Sequence, residues 1–165
     1  MRLLIQRILK GAVTVDGKIV GKVGKGIHIL LGVTHTDTEA DIEYMVNRVL
    51  ALNLWMKDKS TMEKKTWDTN LVQNGYDIMV VSQFTLYGFF KGNKPDFHKS
   101  MEHESAKDMY LKFVEALRTK YVKDKVQTGS FGDYMSVELE NDGPVTLIIE
   151  SATKSEPEPV EDKKE

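Results

Sequence analysis

Apolar and polar positions alternate along this 165-residue chain with two different periods, and the switches between them outline its elements. Leu3 to Leu9 is apolar but broken by Gln6 and Arg7, and Ala12 to Val15 continues the run, with Gly11 as the expected bulge or kink. Asp16-Gly17, flanked by Val13, Val15, Ile19 and Val20, is the strongest hairpin signal in the chain and matches a type I′ turn. A second turn at Gly24-Lys25-Gly26 leads into Ile27-His28-Ile29-Leu30-Leu31-Gly32-Val33, a near-continuous apolar run that predicts a central strand buried on both faces. His28 within it reads as a strand histidine whose hydrogen bonds are satisfied.

The period then lengthens. Thr36-Asp37-Thr38 offers helix N-caps, and Ile42, Met45, Val46, Val49 and Leu50 fall on one helical stripe. Leu52 to Trp55 is predicted to return to the sheet. Lys57 to Asn74 is polar and aperiodic, with Trp67 and Leu71 as its only anchors, and predicts a long loop. Tyr76 to Phe84 is the next strand, running on through Ser82-Gln83-Phe84-Thr85-Leu86 into a loop punctuated by Gly88 and Gly92. Ala106, Met109, Tyr110, Phe113, Val114, Leu117 and Tyr121 then hold helical spacing, and Ser105 with Asp108 resembles a capping box.

The last two strands bracket a polar insert. Tyr134 to Glu140 alternates with period two, Val145 to Ile149 is mostly apolar, and Asn141-Asp142-Gly143-Pro144 between them is turn chemistry that predicts a hairpin. The cis form of an X-Pro bond costs little, so the Gly143-Pro144 isomer is left open by the sequence. Residues 151–165 are acidic, proline-bearing and without apolar period, and predict a disordered tail. Strand runs interrupted by two amphipathic helices predict one α+β domain over residues 1–150. Its sheet is mainly antiparallel or mixed and barrel-like, with both helices on one face.

Composition narrows the chemistry. With 41% hydrophobic and 29% charged residues, this is an ordinary globular chain. It has no cysteine, which excludes thiolate nucleophiles and zinc–thiolate sites and fits a reducing compartment. No apolar run is long enough to span a bilayer and no secretory signal opens the chain, so a cytoplasmic location is the default. His28, His35, His98 and His103 lack metal-ligand spacing, so no metal is expected, and no cofactor motif appears. A net charge of −2 means that nucleic acid would have to be bound by a local basic patch. Lys57, Lys59, Lys64 and Lys65, with Lys91, Lys94 and Lys99 beside Phe84–Phe97, could form one, or could be solvated loop. Ser82 and Thr85 are hydroxyls with no recognisable base beside them, and from pattern alone they cap or bond backbone.

Two stretches carry a resemblance. Ser82-Gln83-Phe84-Thr85-Leu86 and Asn141-Asp142-Gly143-Pro144-Val145-Thr146 resemble the paired signature of the D-aminoacyl-tRNA deacylases, long called D-tyrosyl-tRNA deacylases. Ile5-Gln6-Arg7 with Val13-Thr14-Val15, Leu30-Leu31-Gly32, Gly92-Asn93-Lys94-Pro95-Asp96-Phe97 and Phe131-Gly132-Asp133-Tyr134-Met135 are similar too, in the same order. The likeness covers residues 1 to 150, and the Asn93–Phe97 variant looks eukaryotic.

The resemblance implies a homodimeric cytoplasmic hydrolase that cleaves the ester between a D-amino acid and the 3′ adenosine of tRNA. It implies that Gly143-Pro144 is cis and reaches into the partner's pocket, where its carbonyls face the substrate α-carbon, with Arg7 holding that segment. Ser82, Gln83, Phe84 and Thr85 would line the ester, Phe131 and Met135 would contact the terminal adenosine, and Pro95 and Phe97 would complete the substrate site. A backbone wall near the α-carbon reads handedness by exclusion, so L-amino acids clash while glycine, as on a mischarged tRNA-Ala, passes. A sister group that relaxes this filter carries Pro in place of Ser82 and Ala in place of Phe84, which places this chain with the strict enzymes. The competing readings are a non-catalytic nucleic-acid-binding homodimer and a plain interaction module.

Overall fold

The computed structural model describes residues 1–57 and 67–151. The spine of the fold is β1 (Arg2–Val15), a strand long enough to serve three partners. Its first half pairs antiparallel with β3 (Gly26–Gly32), its second half with β2 (Lys18–Val23), and its whole length with β10 (Ser136–Glu150) along the other edge. Beyond β3 the pairing turns parallel through β6 (Asp77–Ser82) to β9 (Val126–Thr128), so the sheet is mixed. Asp16 at φ 48° and Gly17 at φ 75° form the β1–β2 turn, as a type I′ geometry requires.

The sheet curls until β2 meets β9. A Cβ on Gly21 would sit 2.3 Å from the Thr128 carbonyl oxygen, so the barrel closes there only because that residue has no side chain. One face of the sheet, carrying Leu3, Ile5, Ile29 and Val80, packs with Met45 and Val46 of α1 (Glu39–Ala51) and Phe113 and Leu117 of α3 (His103–Lys120). Both helices therefore lie on one face, each showing the stripe its spacing predicts. Ile8, Val13, Val23, Met79 and Val81 form a second apolar cluster. At roughly 1.5–3 kcal/mol per buried aliphatic side chain, these two clusters are the main source of stability.

Several local expectations are corrected. Gly11 pairs in register with Leu139 and Val23, and the bulge lies earlier, at Arg7–Leu9. Gly11 is instead a close approach, since a Cβ there would lie 3.0 Å from the Leu139 side chain. β4 (Asn53–Trp55) does not rejoin the main sheet but pairs with β5 (Thr69–Asn70) in a sheet of two. The expected loop Lys57–Asn74 ends in β5 and the short α2 (Leu71–Asn74), because Asn70 and Gln73 cap each other at 2.9 Å. Its centre, residues 58–66, lies outside the described residues. Leu71 is a buried anchor there, whereas Trp67 is exposed.

Helix α3 begins at His103, earlier than its apolar stripe suggests. The Glu102 carboxylate accepts from the Glu104 and Ser105 amides, so the cap is Glu102 rather than Ser105. Ser151 is also not loose: its amide donates to the Met1 carbonyl at 2.9 Å, and its hydroxyl accepts from the Met1 ammonium. The rest of the expected tail, 152–165, lies outside the described residues. Among the described residues no helix is long and apolar enough to cross a membrane.

The largest correction concerns Asn141–Thr146. No hairpin forms there, and β10 runs straight on with β1 as partner on both sides of the polar insert. Gln6 faces Thr146 and Ile8 faces Asn141, so Arg7 alone stands opposite the four residues Asp142 to Val145. The insert is absorbed as an excursion from a continuous strand, because the flanking halves both pair antiparallel to β1.

Candidate active site

β6 ends at Ser82 because the chain leaves the sheet. The Gln83 amide still donates to the Leu31 carbonyl at 2.8 Å, and Phe84–Tyr87 then coil into a 3-10 turn rather than the extended strand the pattern suggests. The Gln83 side-chain amide donates to the Thr85 hydroxyl at 2.5 Å. Among the described residues this amide, and no histidine or carboxylate, is the partner of the Thr85 hydroxyl. Phe84 is 58% exposed, stands edge-on to Phe97 at 5.0 Å, and has its carbonyl held by the Ser100 hydroxyl at 2.8 Å.

A cavity of about 800 Å³ opens beside this turn. Ser82, Gln83, Phe84 and Phe97 line it together with Phe131 and Met135, so six expected site residues from three distant segments share one space. Phe131 is wedged between His103 at 5.3 Å and Tyr110 at 5.4 Å. Tyr110 is itself anchored, its hydroxyl donating to the Val80 carbonyl at 3.0 Å, and burial pushes its pKa up to about 12. It therefore acts as a neutral structural prop at physiological pH. The Met135 sulfur accepts from the Ser130 amide at 3.3 Å.

The remaining expected residues lie elsewhere. Thr85 is one step beyond the lining and reaches it through Gln83. Pro95 sits opposite Phe90 in a two-stranded hairpin, β7 (Phe89–Lys91) and β8 (Lys94–Asp96), outside the cavity wall. Arg7, Gly143 and Pro144 lie on β1 and β10, away from the lining. There the Arg7 guanidinium donates to the Asp142 carbonyl at 3.1 Å and to the Leu54 carbonyl at 2.5 Å, and pairs with the Asp142 carboxylate at 3.3 Å. The Gly143-Pro144 bond is cis, with Gly143 at φ 125°, a conformation that an L side chain rarely adopts.

Sequence reading missed other lining residues. Gln6 and His28 face each other across β1 and β3 and contribute polar groups to a mostly apolar wall. His28 is 1% exposed, and among the described residues neither of its ring nitrogens has a partner, contrary to the satisfied histidine expected. Its only signal was a lone imidazole in an apolar run. Tyr110 was masked by the helical stripe, and His103 precedes that stripe at the start of α3. Among the described residues, no group of three or more histidine, aspartate and glutamate side chains is arranged to hold a metal ion. Of the basic rim, Lys59, Lys64 and Lys65 fall outside the described residues, while Lys91, Lys94 and Lys99 surround the β7–β8 hairpin.

Known proteins are similar to this chain in sequence and in architecture. Residues 4–150 match the family model described as D-Tyr-tRNA(Tyr) deacylase. A D-aminoacyl-tRNA deacylase of Thermosipho melanesiensis is 47% identical over 92% of this chain and 97% of its own. D-aminoacyl-tRNA deacylase 1 of Homo sapiens is 42% identical over 92% of this chain and 70% of its own, and that of Leishmania major 39% over 94% and 100%. The solved c-Myc DNA Unwinding Element Binding Protein superposes with a TM-score of 0.85 at 42% identity, covering 92% of this chain and 99% of that one. A probable eukaryotic D-amino acid tRNA deacylase shares the fold, with a TM-score of 0.74 at 19% identity over 90% of this chain and 97% of that one. By its fold and by the match across nearly its whole length, the chain belongs to the D-Tyr-tRNA(Tyr) deacylase family.

Proposed function

We propose that this chain hydrolyses the ester between a D-amino acid and the 3′ adenosine of tRNA, as a cytoplasmic homodimer in which each copy completes the other's site. The observation that carries the reading is a division of labour. The row Ser82–Phe84 and the Phe131–Met135 wall share a cavity, while the Gly143-Pro144 segment, pinned by Arg7, stands apart from it. In this reading a second copy brings that segment to the ester. The long β10 edge, with Tyr134, Val137 and Ile148 exposed along that part of the chain, is the kind of surface a partner covers.

Chirality is then sensed by exclusion. A backbone wall presented by Gly143-Pro144 at the α-carbon leaves room for hydrogen or a D substituent and clashes with an L one, so glycyl-tRNA passes the same filter. Phe131 and Met135 receive the terminal adenosine, a stacking role suited to an aromatic ring and a polarizable thioether. Pro95 and Phe97 shape the outer side of the site, Phe97 directly and Pro95 through the hairpin. An aminoacyl ester is already activated, so positioning supplies much of the rate. Water attacks the ester carbonyl, the bond to the ribose oxygen breaks, and that oxygen takes up the proton as the D-amino acid leaves. Backbone N–H groups near Ser82–Thr85 and the ribose 2′-hydroxyl assist, with Thr85 oriented by Gln83 rather than acting as nucleophile.

Incubating the purified protein with D-Tyr-tRNA and L-Tyr-tRNA tests this: the D ester should disappear and the L ester persist. Equal and negligible loss of both overturns the reading. A second reading, a non-catalytic nucleic-acid-binding homodimer, draws on the likeness to the c-Myc DNA Unwinding Element Binding Protein. Salt-sensitive binding to duplex DNA, tighter than to tRNA, is the result that favours it.

A further inference from the structure

The β7–β8 hairpin combines an exposed aromatic ring with a cluster of lysines. Phe90 projects from it 72% exposed, across the pair from Pro95. On the hairpin's other face the Lys91 and Lys99 ammonium groups lie over the Phe89 ring, 5.5 Å and 5.1 Å from its centroid. Asp96 is the one acidic residue between Phe89 and Lys99, and it is taken by Lys91 at 2.6 Å and by His98 at 2.5 Å. Among the described residues Lys94 and Lys99 have no carboxylate partner. Lys91, Lys94 and Lys99 against Asp96 leave this segment net positive in a chain whose total is −2.

The hairpin is also fixed to the cavity mouth. Its second strand runs into Phe97, which lines the cavity and stacks edge-on with Phe84. Ser100 ties the same segment to the Phe84 carbonyl, and Thr34 holds it through the Lys99 carbonyl at 2.6 Å. Three lysines and an exposed aromatic ring on or beside one short hairpin do not suit a protein partner, because lysine is depleted at such interfaces. Ammonium groups for phosphates and a free ring for a base suit single-stranded nucleic acid.

We propose that the β7–β8 hairpin is a docking lip for the single-stranded 3′ end of the RNA. In it Lys91, Lys94 and Lys99 contact backbone phosphates and Phe90 stacks on a base outside the cavity. The inference rests on the deacylase reading above and extends it from the terminal nucleotide to those preceding it. Recognition there is by backbone and base face, so it is independent of sequence.

The test compares two substrates, D-Tyr-tRNA and D-tyrosyl-adenosine, for the wild type, Phe90→Ala and the triple variant Lys91→Gln, Lys94→Gln, Lys99→Gln. On D-Tyr-tRNA, kcat/KM should fall about tenfold or more in each variant. The salt slope of the triple variant should flatten by about 2, near 0.7 for each single-strand phosphate that a lysine no longer neutralises. On D-tyrosyl-adenosine the variants should match the wild type. Equal losses on both substrates, or an unchanged salt slope on the tRNA, overturn the lip. Should the wild type cleave neither substrate, the deacylase reading fails separately. Salt-dependent binding of uncharged tRNA then decides the lip, which is refuted if the triple variant binds as the wild type does. The double variant Lys94→Gln, Lys99→Gln spares the Asp96 pair and should show the same direction of effect.

Discussion

Replacing His28 by leucine should remove a large part of the acid sensitivity of the fold. His28 sits in the middle of β3, opposite Gln6 on β1 and Met79 on β6, and is 1% exposed. Burial lowers its pKa from the ordinary 6.5 to about 4. The unfolded chain therefore takes up a proton near pH 6.5, whereas the folded chain resists until near pH 4. Between those values the unfolded state binds more protons, so stability is intact above pH 6.5 and drains away as the pH falls. At 1.36 kcal/mol per unit, the full loss by pH 4 is about 3 kcal/mol, of which about 2 kcal/mol falls between pH 7 and pH 5.

Urea unfolding of wild type and His28→Leu at pH 7 and pH 5 isolates this contribution, because every other titrating group is common to both proteins. The wild type should lose about 2 kcal/mol more than the variant over that interval. At pH 7 the variant should be more stable by ~1–3 kcal/mol, since it removes a buried imidazole with two unpartnered nitrogens and fills the space with apolar atoms. Equal losses on acidification would refute the argument, because they would mean that His28 is hydrogen-bonded or hydrated in the folded protein.

Three further outcomes follow from the geometry. Arg7→Ala removes the bonds to Asp142 and Leu54 and should lower the D-over-L preference in deacylation by about tenfold or more, the scale on which a relaxed steric filter acts; unchanged discrimination would remove Arg7 from that role. Thr85→Ala deletes a hydroxyl worth ~1 kcal/mol and should keep kcat within about tenfold, whereas a drop of roughly 10⁴ or more with the fold intact would make Thr85 the nucleophile. Gly21→Ala drives a methyl onto the Thr128 carbonyl at the β2–β9 closure and should cost ~1–3 kcal/mol in urea unfolding, and a neutral result would mean that the barrel seam is looser than drawn.

Much of the fold was legible because its signals are local and strongly periodic. The type I′ turn at Asp16-Gly17, the two-face-buried β3 and the stripes of α1 and α3 each depend on residues within a few positions of one another. What was misread depends on partners far along the chain. Leu52–Trp55 has strand character, but its neighbour proved to be Thr69–Asn70, and nothing in either segment names the other. Gly11 looked like a kink because a glycine in a strand weakens it. The reason it is there, the Leu139 side chain, lies 128 positions away on β10.

The site divides along the same line, and the division bears on how such enzymes are read. Ser82–Thr85 is a contiguous run whose resemblance is visible in the letters, and the structure lodges Ser82, Gln83 and Phe84 in the cavity with Phe131 and Met135. His28, His103 and Tyr110 line that same cavity, yet His28 and Tyr110 lie within elements whose apolar pattern already explains the positions around them, and His103 precedes the stripe of its helix. Asn141–Thr146 is the sharpest case. Its composition satisfies every rule for a reversing turn, but β1 offers hydrogen-bond partners on both sides of it, and the sheet outweighs the turn. A polar, glycine- and proline-bearing insert that interrupts a strand without ending it gives up ladder bonds to β1. Its visible fastening is Arg7, and its tip is no part of the cavity wall. Such an arrangement fits the proposed dimer, in which the segment serves a cavity that belongs to another copy.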